Sequence, residues 1–538
     1  MTSPVSLTLQ GVSCQSADGR VLFHSLNAQF DNRHTGLVGR NGIGKSLLAR
    51  ILAGERPPSS GRCLRMCRPH YLPQQISPKP DQTVADLAGL GPPLRALVRI
   101  EAGSTAQQDF EAVGERWDLR ERLQQELAMQ RLDHLQPQTR AAELSGGEIT
   151  RVALIGAVLS GADMLILDEP SNHLDRDSRR LLRERLQHWN SGLIVVSHDR
   201  ELLETMDRIV ELSSLGLHSY GGGYSFYAQA KAEEQAKART LLELRKTERR
   251  REERALAAQR ERLERRQARG AKDAEQANQA PILLGRRKER SQSSIGKLRV
   301  RQDKARMALS QRVREAAGQL APSAEILLFA PQQPRPAPEI VAVLEALHPP
   351  HASVLLGGID LVLGGRQRIG LVGPNGSGKS TLLKVIAGQL APRSGRCELR
   401  VGAAYLDQHL STLDPQRSLL EQLLAANATL DEGALRGRLA LLGLDADRLR
   451  LPPPALSGGE RLKAALAIVL YADRPAELLL LDEPSNHLDL PSVQALESML
   501  RQYRGTLLIA SHDEALLDKL ELTQRLMLDR DRWSMTPW

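Results

Sequence analysis

The sequence predicts an α/β protein made of two like domains in tandem, joined by a basic α-helical hairpin. Three observations carry that prediction. A set of short motifs occurs twice, in the same order. Each copy places apolar, strand-like runs next to helix-opening glycine turns. Between the copies lies a stretch rich in Lys, Arg, Glu and Ala, without proline or glycine from Ala228 to Ala268.

The repeat is direct. Gly36-Leu-Val-Gly-Arg-Asn-Gly-Ile-Gly-Lys-Ser46 recurs as Gly370-Leu-Val-Gly-Pro-Asn-Gly-Ser-Gly-Lys-Ser380. Leu144-Ser-Gly-Gly-Glu148 recurs as Leu456-Ser-Gly-Gly-Glu460, and Leu167-Asp-Glu-Pro-Ser-Asn-His-Leu-Asp175 as Leu481-Asp-Glu-Pro-Ser-Asn-His-Leu-Asp489. Ser197-His-Asp199 recurs as Ser511-His-Asp513. Asp168 and His198 stand 30 residues apart, as do Asp482 and His512. Lys45 to Ser145 spans 100 residues against 78 from Lys379 to Ser457, so the first copy carries a longer lobe there. Its composition predicts helix over Ala112–Leu135. The expected domains are 1–228, a linker at 229–321, and 322–538.

The linker is built from strong helix formers over Ala228–Ala268. Gly270, Pro281, Gly285 and Gly296 are expected to interrupt it, and a second helix is expected over Lys297–Ala317. The reading is helix, broken tip, helix, with a proline-rich run at Pro331–Pro338 beyond. From Lys231 to Leu320 the net charge is +13, which leaves the rest of the chain at −4 within a whole-chain +9. A mildly acidic body with a strongly basic insert points to a polyanion, nucleic acid ahead of membrane. A solvated helical face is the plainer alternative for such a charge run.

Gly39, Arg40, Asn41, Gly42, Ile43, Gly44, Lys45 and Ser46 form one phosphate loop. Gly373, Pro374, Asn375, Gly376, Ser377, Gly378, Lys379 and Ser380, with Thr381 following, form the other. Each follows an apolar strand and opens a helix. Glycines let backbone N–H groups turn onto phosphates, and the helix N-terminus adds its dipole. Lys45 and Lys379 are expected on the β- and γ-phosphates of ATP, and the Ser46 and Ser380 hydroxyls on Mg²⁺. Met164–Asp168 and Leu478–Asp482 read as buried parallel strands that deliver Asp168 and Asp482 to the metal. Glu169 and Glu483 follow, within reach of a water in line with the γ-phosphate. His198 and His512, equally spaced from those acids, are expected to sense that phosphate. Gln74 (with Gln75 as an alternative) and Gln408 are expected to contact Mg²⁺ or its water. Ser145-Gly146-Gly147 and Ser457-Gly458-Gly459 open helices and offer a second anion site in each copy. Its simplest use is the γ-phosphate of the nucleotide held by the other copy.

In this order and duplication the motifs resemble the ATP-binding cassette superfamily over roughly residues 5–228 and 322–530. The resemblance implies two cassettes packed head to tail. One ATP would lie between Lys45 and Ser457, the other between Lys379 and Ser145, with Glu169 and Glu483 as catalytic glutamates of an ATPase. Paired cassettes, the Asn-His-Leu-Asp form, the basic linker and Tyr220-Gly-Gly-Gly-Tyr224-Ser-Phe-Tyr227 look most like the ABC-F branch. That branch implies a ribosome partner, with the linker approaching rRNA and the P-site tRNA, in a translation or antibiotic-protection role. The chain is then expected to be a monomer with intramolecular cassette pairing. Cassettes usually stack an aromatic on adenine, yet Gln15–Arg20 and His348–His351 hold no Tyr, Phe or Trp. His348 or His351 could stand in within the second copy.

Composition narrows the alternatives. No apolar run of membrane-spanning length occurs, the N-terminus has no signal-peptide pattern, and four cysteines form no disulfide framework. Cys63 and Cys67 are expected in or beside strands. A reducing cytoplasm follows as the expected location. A transporter's ATPase subunit with separate membrane partners would leave the basic linker unexplained. A DNA-acting ATPase of the same kind would be expected to carry a DNA-binding extension after the second cassette, where little sequence remains.

Overall fold

The computed structural model describes residues 6–16, 19–172, 174–276, 304, 306–316, 338–350, 357–529 and 532–538. The expected hairpin tip from 277 onward lies outside them, together with Arg286, Arg287, Lys288 and Arg290; so do His351 and the proline run as far as 337. The chain divides into two compact units: Met1–Tyr227 with Ala324–Trp538, and Ala228–Ser323. The first unit holds both repeats.

The first repeat begins with β1 (Leu7–Gln15), β2 (Val21–Phe30), β3 (His34–Gly39), α1 (Lys45–Ala53), β4 (Ser60–Arg65) and β5 (Pro69–Leu72). A helical lobe follows, α2 (Val84–Leu87), α3 (Gly91–Glu101), α4 (Gln107–Val113) and α5 (Leu119–Met129). The chain returns through α6 (Gly146–Leu159), β6 (Met164–Asp168), α7 (Arg176–Gln187), β7 (Gly192–Val196), α8 (Arg200–Glu204), β8 (Arg208–Ser213) and β9 (Gly216–Gly221). The main sheet has the order β5-β6-β7-β3-β8-β9, parallel except for β9. A second, antiparallel sheet has the order β2-β1-β4.

Both β6 and β7 are buried at every residue. That explains why they read as unbroken apolar runs: helices or strands cover both faces of the sheet. The alternation of the strand divides them between two cores. Met164 and Ile166 join Leu48 and Ile51 of α1 and Leu7, Phe23 and Phe30 of the smaller sheet. Leu165 and Leu167 join Ala157 of α6 and Leu182 and Leu186 of α7. The lobe has its own core, in which Val84, Leu94, Leu119 and Leu123 pack on Val152 and Ile155 of α6. The expected helix over Ala112–Leu135 is interrupted. Gly114, with φ +55, closes α4 through its N–H to Phe110 O, and α5 starts afresh.

One glycine fixes how closely the lobe docks. A Cβ on Gly156 of α6 would sit 2.1 Å from the Ala88 carbonyl oxygen. Gly156→Ala is therefore expected to cost about 1–3 kcal/mol by overpacking. Thermal melting should show a clear fall, larger than that from Ala at the exposed Gly146.

The second repeat rebuilds the same layout. Its strands are β10 (Ile340–His348), β11 (Ile359–Gly364), β12 (Arg368–Val372), β13 (Ser394–Leu399), β14 (Ala403–Leu406), β15 (Leu478–Asp482), β16 (Thr506–Ala510), β17 (Gln524–Asp529) and β18 (Arg532–Pro537). They form sheets of order β14-β15-β16-β12-β17-β18 and β11-β10-β13. Its helices are α10 (Lys379–Ile386), α11 (Leu419–Ala426), α12 (Glu432–Leu441), α13 (Ala446–Leu449), α14 (Gly458–Leu470), α15 (Leu490–Gln502) and α16 (Glu514–Lys519). Cys63 lies in β4 and Cys67 just beyond it, each half-buried.

From the first repeat the chain enters a 53-residue helix, α9 (Tyr224–Gln276). At 1.5 Å per residue it measures about 80 Å. It runs through Gly270, where an interruption was expected. One glycine costs a helix only about 1 kcal/mol, and its neighbours Arg269, Ala271 and Lys272 favour helix. Residues 306–316 are also helical. Among the described residues no helix is long and apolar enough to cross a membrane.

Candidate active site

In each main sheet the site lies at the carboxyl ends of three adjacent strands, β6, β7 and β3 or β15, β16 and β12. Open parallel sheets place ligands at this edge. The strand β3 ends at Gly39, whose φ of +155 is closed to side chains, and a Cβ there would meet Leu212 O at 2.4 Å. Gly44 (φ +103) and Gly378 (φ +88) cap α1 and α10 in left-handed conformations. Ile43 packs on the core beneath the loop.

Both lysines are buried. Lys45 Nζ donates to Gly39 O at 2.8 Å, Arg40 O at 3.2 Å and Asn41 Oδ1 at 3.3 Å. Lys379 Nζ donates to Gly373 O at 2.8 Å and Pro374 O at 2.9 Å, and lies 3.2 Å from His512 Nε2. Burial lowers the pKa of each ammonium. Glu169, Asp489 and Asp168 oppose that for Lys45, and Glu483, Asp482 and Asp175 for Lys379. Each ammonium thus curls onto its own loop, ready to exchange carbonyl oxygens for phosphate oxygens.

Asp168 and Asp482 end their strands as expected. Tyr71 Oη donates to Asp168 Oδ2 at 3.1 Å, and Tyr405 Oη to Asp482 Oδ2 at 3.0 Å. Burial raises the Asp168 pKa, against a hydrogen bond from Ser46. Asp168 Oδ1 is buried without a hydrogen-bond partner. An unpaired buried carboxylate oxygen next to a serine hydroxyl is a donor set suited to a hard divalent cation. Gln74 and Gln408 each stand two residues beyond their strands, β5 and β14. That shared register selects Gln74 over Gln75 as the counterpart of Gln408.

Glu169 and Glu483 adopt left-handed backbone conformations, φ +50 and +48. The same ladder bond holds each: Glu169 N donates to Val196 O at 2.8 Å, and Glu483 N to Ala510 O at 2.9 Å. Non-glycine residues there are strained, and such strain gathers at functional sites. Burial pushes the Glu169 carboxyl up to about 8 and the Glu483 carboxyl up to about 7, against the attraction of Lys45 and Lys379. His198 Nε2 lies 3.5 Å from Glu169 Oε1, and His512 Nε2 3.5 Å from Glu483 Oε1. Burial first, and then the neighbouring lysine, pulls both imidazoles down to about 3, so both are neutral at pH 7.

The Ser145 and Ser457 hydroxyls serve their helices first. Each sits in a capping box, with Ser145 Oγ donating to Glu148 Oε2 at 2.7 Å and Ser457 Oγ to Glu460 Oε2 at 2.8 Å. Backbone N–H groups at the N-termini of α6 and α14 remain as anion donors, and a hydroxyl must leave its glutamate to join them. His348 also has local partners: its Nδ1 lies 3.0 Å from Ala346 O and 3.1 Å from Ser394 Oγ.

The repeats meet across these loops. Asp489 Oδ2 accepts from Asn41 N at 2.8 Å, and Asn41 Nδ2 donates to His487 O at 2.7 Å. Reciprocally, Asp175 Oδ2 accepts from Asn375 N at 3.5 Å. Lys463 of α14 has its pKa lowered by burial and then by the charge of Arg40, so the helix that Ser457 opens lies beside the first phosphate loop. The pattern is head to tail. Asp175, Asp489, Tyr71 and Tyr405 were not singled out as site residues from the sequence. Their recurrence at matching places in both repeats was the available signal.

Comparison with known proteins agrees with this geometry. The ABC transporter family profile matches residues 25–172 and 356–486. The tylosin resistance ATP-binding protein TlrC of Streptomyces fradiae is 32% identical over 545 residues, covering 95% of each chain. The ATP-binding protein Uup of Escherichia coli K12 is 31% identical, over 91% of this chain and 75% of that one. Among solved structures, the archaeal ribosome recycling factor aABCE1, in complex with the stalk protein aP1, superposes with a TM-score of 0.59 at 20% identity, over 97% of this chain and 89% of that one. The chain belongs to the ATP-binding cassette family, in its ABC-F branch of paired-cassette ATPases. It binds ATP and hydrolyses it.

Proposed function

We propose that residues 1–228 and 322–538 act as two cassettes that close on two ATP molecules, and that the linker at 229–321 carries the result to the ribosome from the cytoplasm. The observation that supports this best is the crossed contact of Asp489 and Asp175 with the opposite phosphate loops. It gives each nucleotide two walls from different repeats. In the first site Lys45 and the loop N–H groups take the β- and γ-phosphates, and the N-terminus of α14 at Ser457 takes the far side. Lys379 and Ser145 do the same in the second. Ser46, Asp168 and Gln74, with Ser380, Asp482 and Gln408, are the groups that would hold Mg²⁺, whose charge neutralises the phosphates. Glu169 and Glu483 accept the proton of the attacking water, a task suited to carboxyls whose burial makes them better bases than free ones. Neutral His198 and His512 hydrogen-bond the γ-phosphate or the glutamate.

Ribosome action is supported by membership of the ABC-F branch and by the +13 charge between Lys231 and Leu320. A charged helix without aromatic side chains at the expected tip suits rRNA and tRNA phosphates more than bases. Co-sedimentation with ribosomes in ATP is the test. Binding should weaken on the order of 10²-fold or more between about 50 and 200 mM monovalent salt. No binding at low salt would sink the reading. The relative named for tylosin resistance favours antibiotic protection among the possible ribosomal roles. Expression in a tylosin-sensitive host should then raise the tolerated concentration.

A further inference from the structure

The motif contacts between the repeats cannot choose partners. Asn41 meets Asp489 and Asn375 meets Asp175, so the same residue types would serve equally well between two first cassettes, or two second cassettes, of different chains. Any selectivity has to come from contact residues that differ between the copies.

The buried charges differ. Arg200, the first residue of α8, is buried and pairs through Nη1 with the buried Glu497 of α15. The ring of Tyr224 lies 5.6 Å from its guanidinium carbon, and Lys519 Nζ reaches Glu497 Oε2 at 3.5 Å. A second ion pair between the repeats joins Arg176 of α7 to Glu514 of α16. From Asp168 to His198 the repeats match Asp482 to His512 without a gap. Extending that register, position 200 corresponds to Glu514, 183 to Glu497, and 176 to Leu490. The equivalent positions therefore carry opposite charge: Arg200 against Glu514, and Arg183 against Glu497.

We propose that this inversion is a pairing code, which admits a first cassette to a second cassette and rejects two of the same kind. In a pair of first cassettes Arg200 would face Arg183 and Arg176. In a pair of second cassettes Glu514 would face Glu497, with Leu490 where Arg176 supplies the counter-charge. Like charges brought together without water repel strongly, whereas unlike pairs are satisfied, and discrimination by introduced repulsion follows. The apolar part of the contact, where Leu490 packs with Val38, Leu203 and Ile209, differs between the copies in the same sense, since Arg176 stands at the position of Leu490. The code keeps closure within one chain at protein concentrations where covalent linkage alone would compete with cross-chain pairing.

Two measurements on the full chain test this. In a Glu169→Gln/Glu483→Gln background with ATP and Mg²⁺, sedimentation velocity is run on the parent, on Arg183→Glu/Glu497→Arg, and on that pair with Arg200→Glu added. The parent is expected to be monomeric. In the double variant, Arg200 faces a like charge at position 497 of its own chain and an opposite charge at position 183 of another chain. That variant is expected to dimerise in ATP, and the triple variant to return to monomer. A double variant that stays monomeric while folded overturns the code. In the hydrolytic background, Arg200→Glu and Glu497→Arg are each expected to lower ATP turnover at least tenfold, and the reciprocal swap to recover it within threefold. A swap no better than the worse single variant overturns the proposal even if the sedimentation variants fail to fold.

Discussion

Glu169→Gln together with Glu483→Gln is expected to lower ATP turnover by about 10²–10⁴-fold, the usual contribution of a positioned general base. ATP binding should survive. The amide keeps the shape of the carboxylate, and Lys45, Lys379 and the loop N–H groups are untouched. The backbone at both positions stays anchored by its bond to β7 or β16. The amide cannot take on a negative charge beside the phosphates and cannot activate water, so the nucleotide should be held longer. Single-turnover hydrolysis and nucleotide retention on the purified chain give both numbers. Turnover within threefold of the parent would remove the glutamates from the reaction. If only one single variant abolishes hydrolysis, the two sites do unequal work.

Asp489→Ala is the second large effect. The carboxylate is buried and serves two masters: Oδ1 accepts from Ser492 N at 3.0 Å to cap α15, and Oδ2 accepts from Asn41 N across the repeat contact. Burial would raise its pKa, yet these bonds hold it below the ordinary carboxylate value. Loss of the cap costs about 1 kcal/mol, and the unpaired N–H about 1–3 kcal/mol more. Because Asn41 belongs to the first phosphate loop, ATP turnover should fall at least tenfold alongside the drop in melting temperature. Asp175→Ala should do less, since its bond to Asn375 is 3.5 Å long. Equal losses from the two variants would contradict the inequivalence of the crossed contacts.

Much of this fold was legible in sequence because the repeat supplied two independent readings of each feature. A run such as Met164–Asp168 could be helix or strand on its own. Its recurrence before the same Asp-Glu-Pro made it a strand edge with a site at its end. What stayed hidden depends on tertiary distance. Nothing local in Asp489 announces that its second oxygen reaches another repeat, and Arg200 reads as an ordinary helix start. At Ser145 and Ser457 one Ser-x-x-Glu pattern encodes both a capping box and a helix N-terminus able to meet an anion, and only the structure shows the box formed. The break at Gly114 and the continuity through Gly270 show the opposite errors of a propensity argument. One glycine ends a short helix by adopting positive φ, while another is carried along by a long one.

The left-handed glutamates have one more consequence. At φ near +50 any residue with a side chain is strained, and glycine is not. A laboratory search that rewarded only heat resistance would drift towards glycine at positions 169 and 483, gaining robustness as it discarded the proton acceptors. Thermostable lineages of this protein should therefore be screened for turnover at every round, because here the sturdier molecule is the one that has forgotten its chemistry.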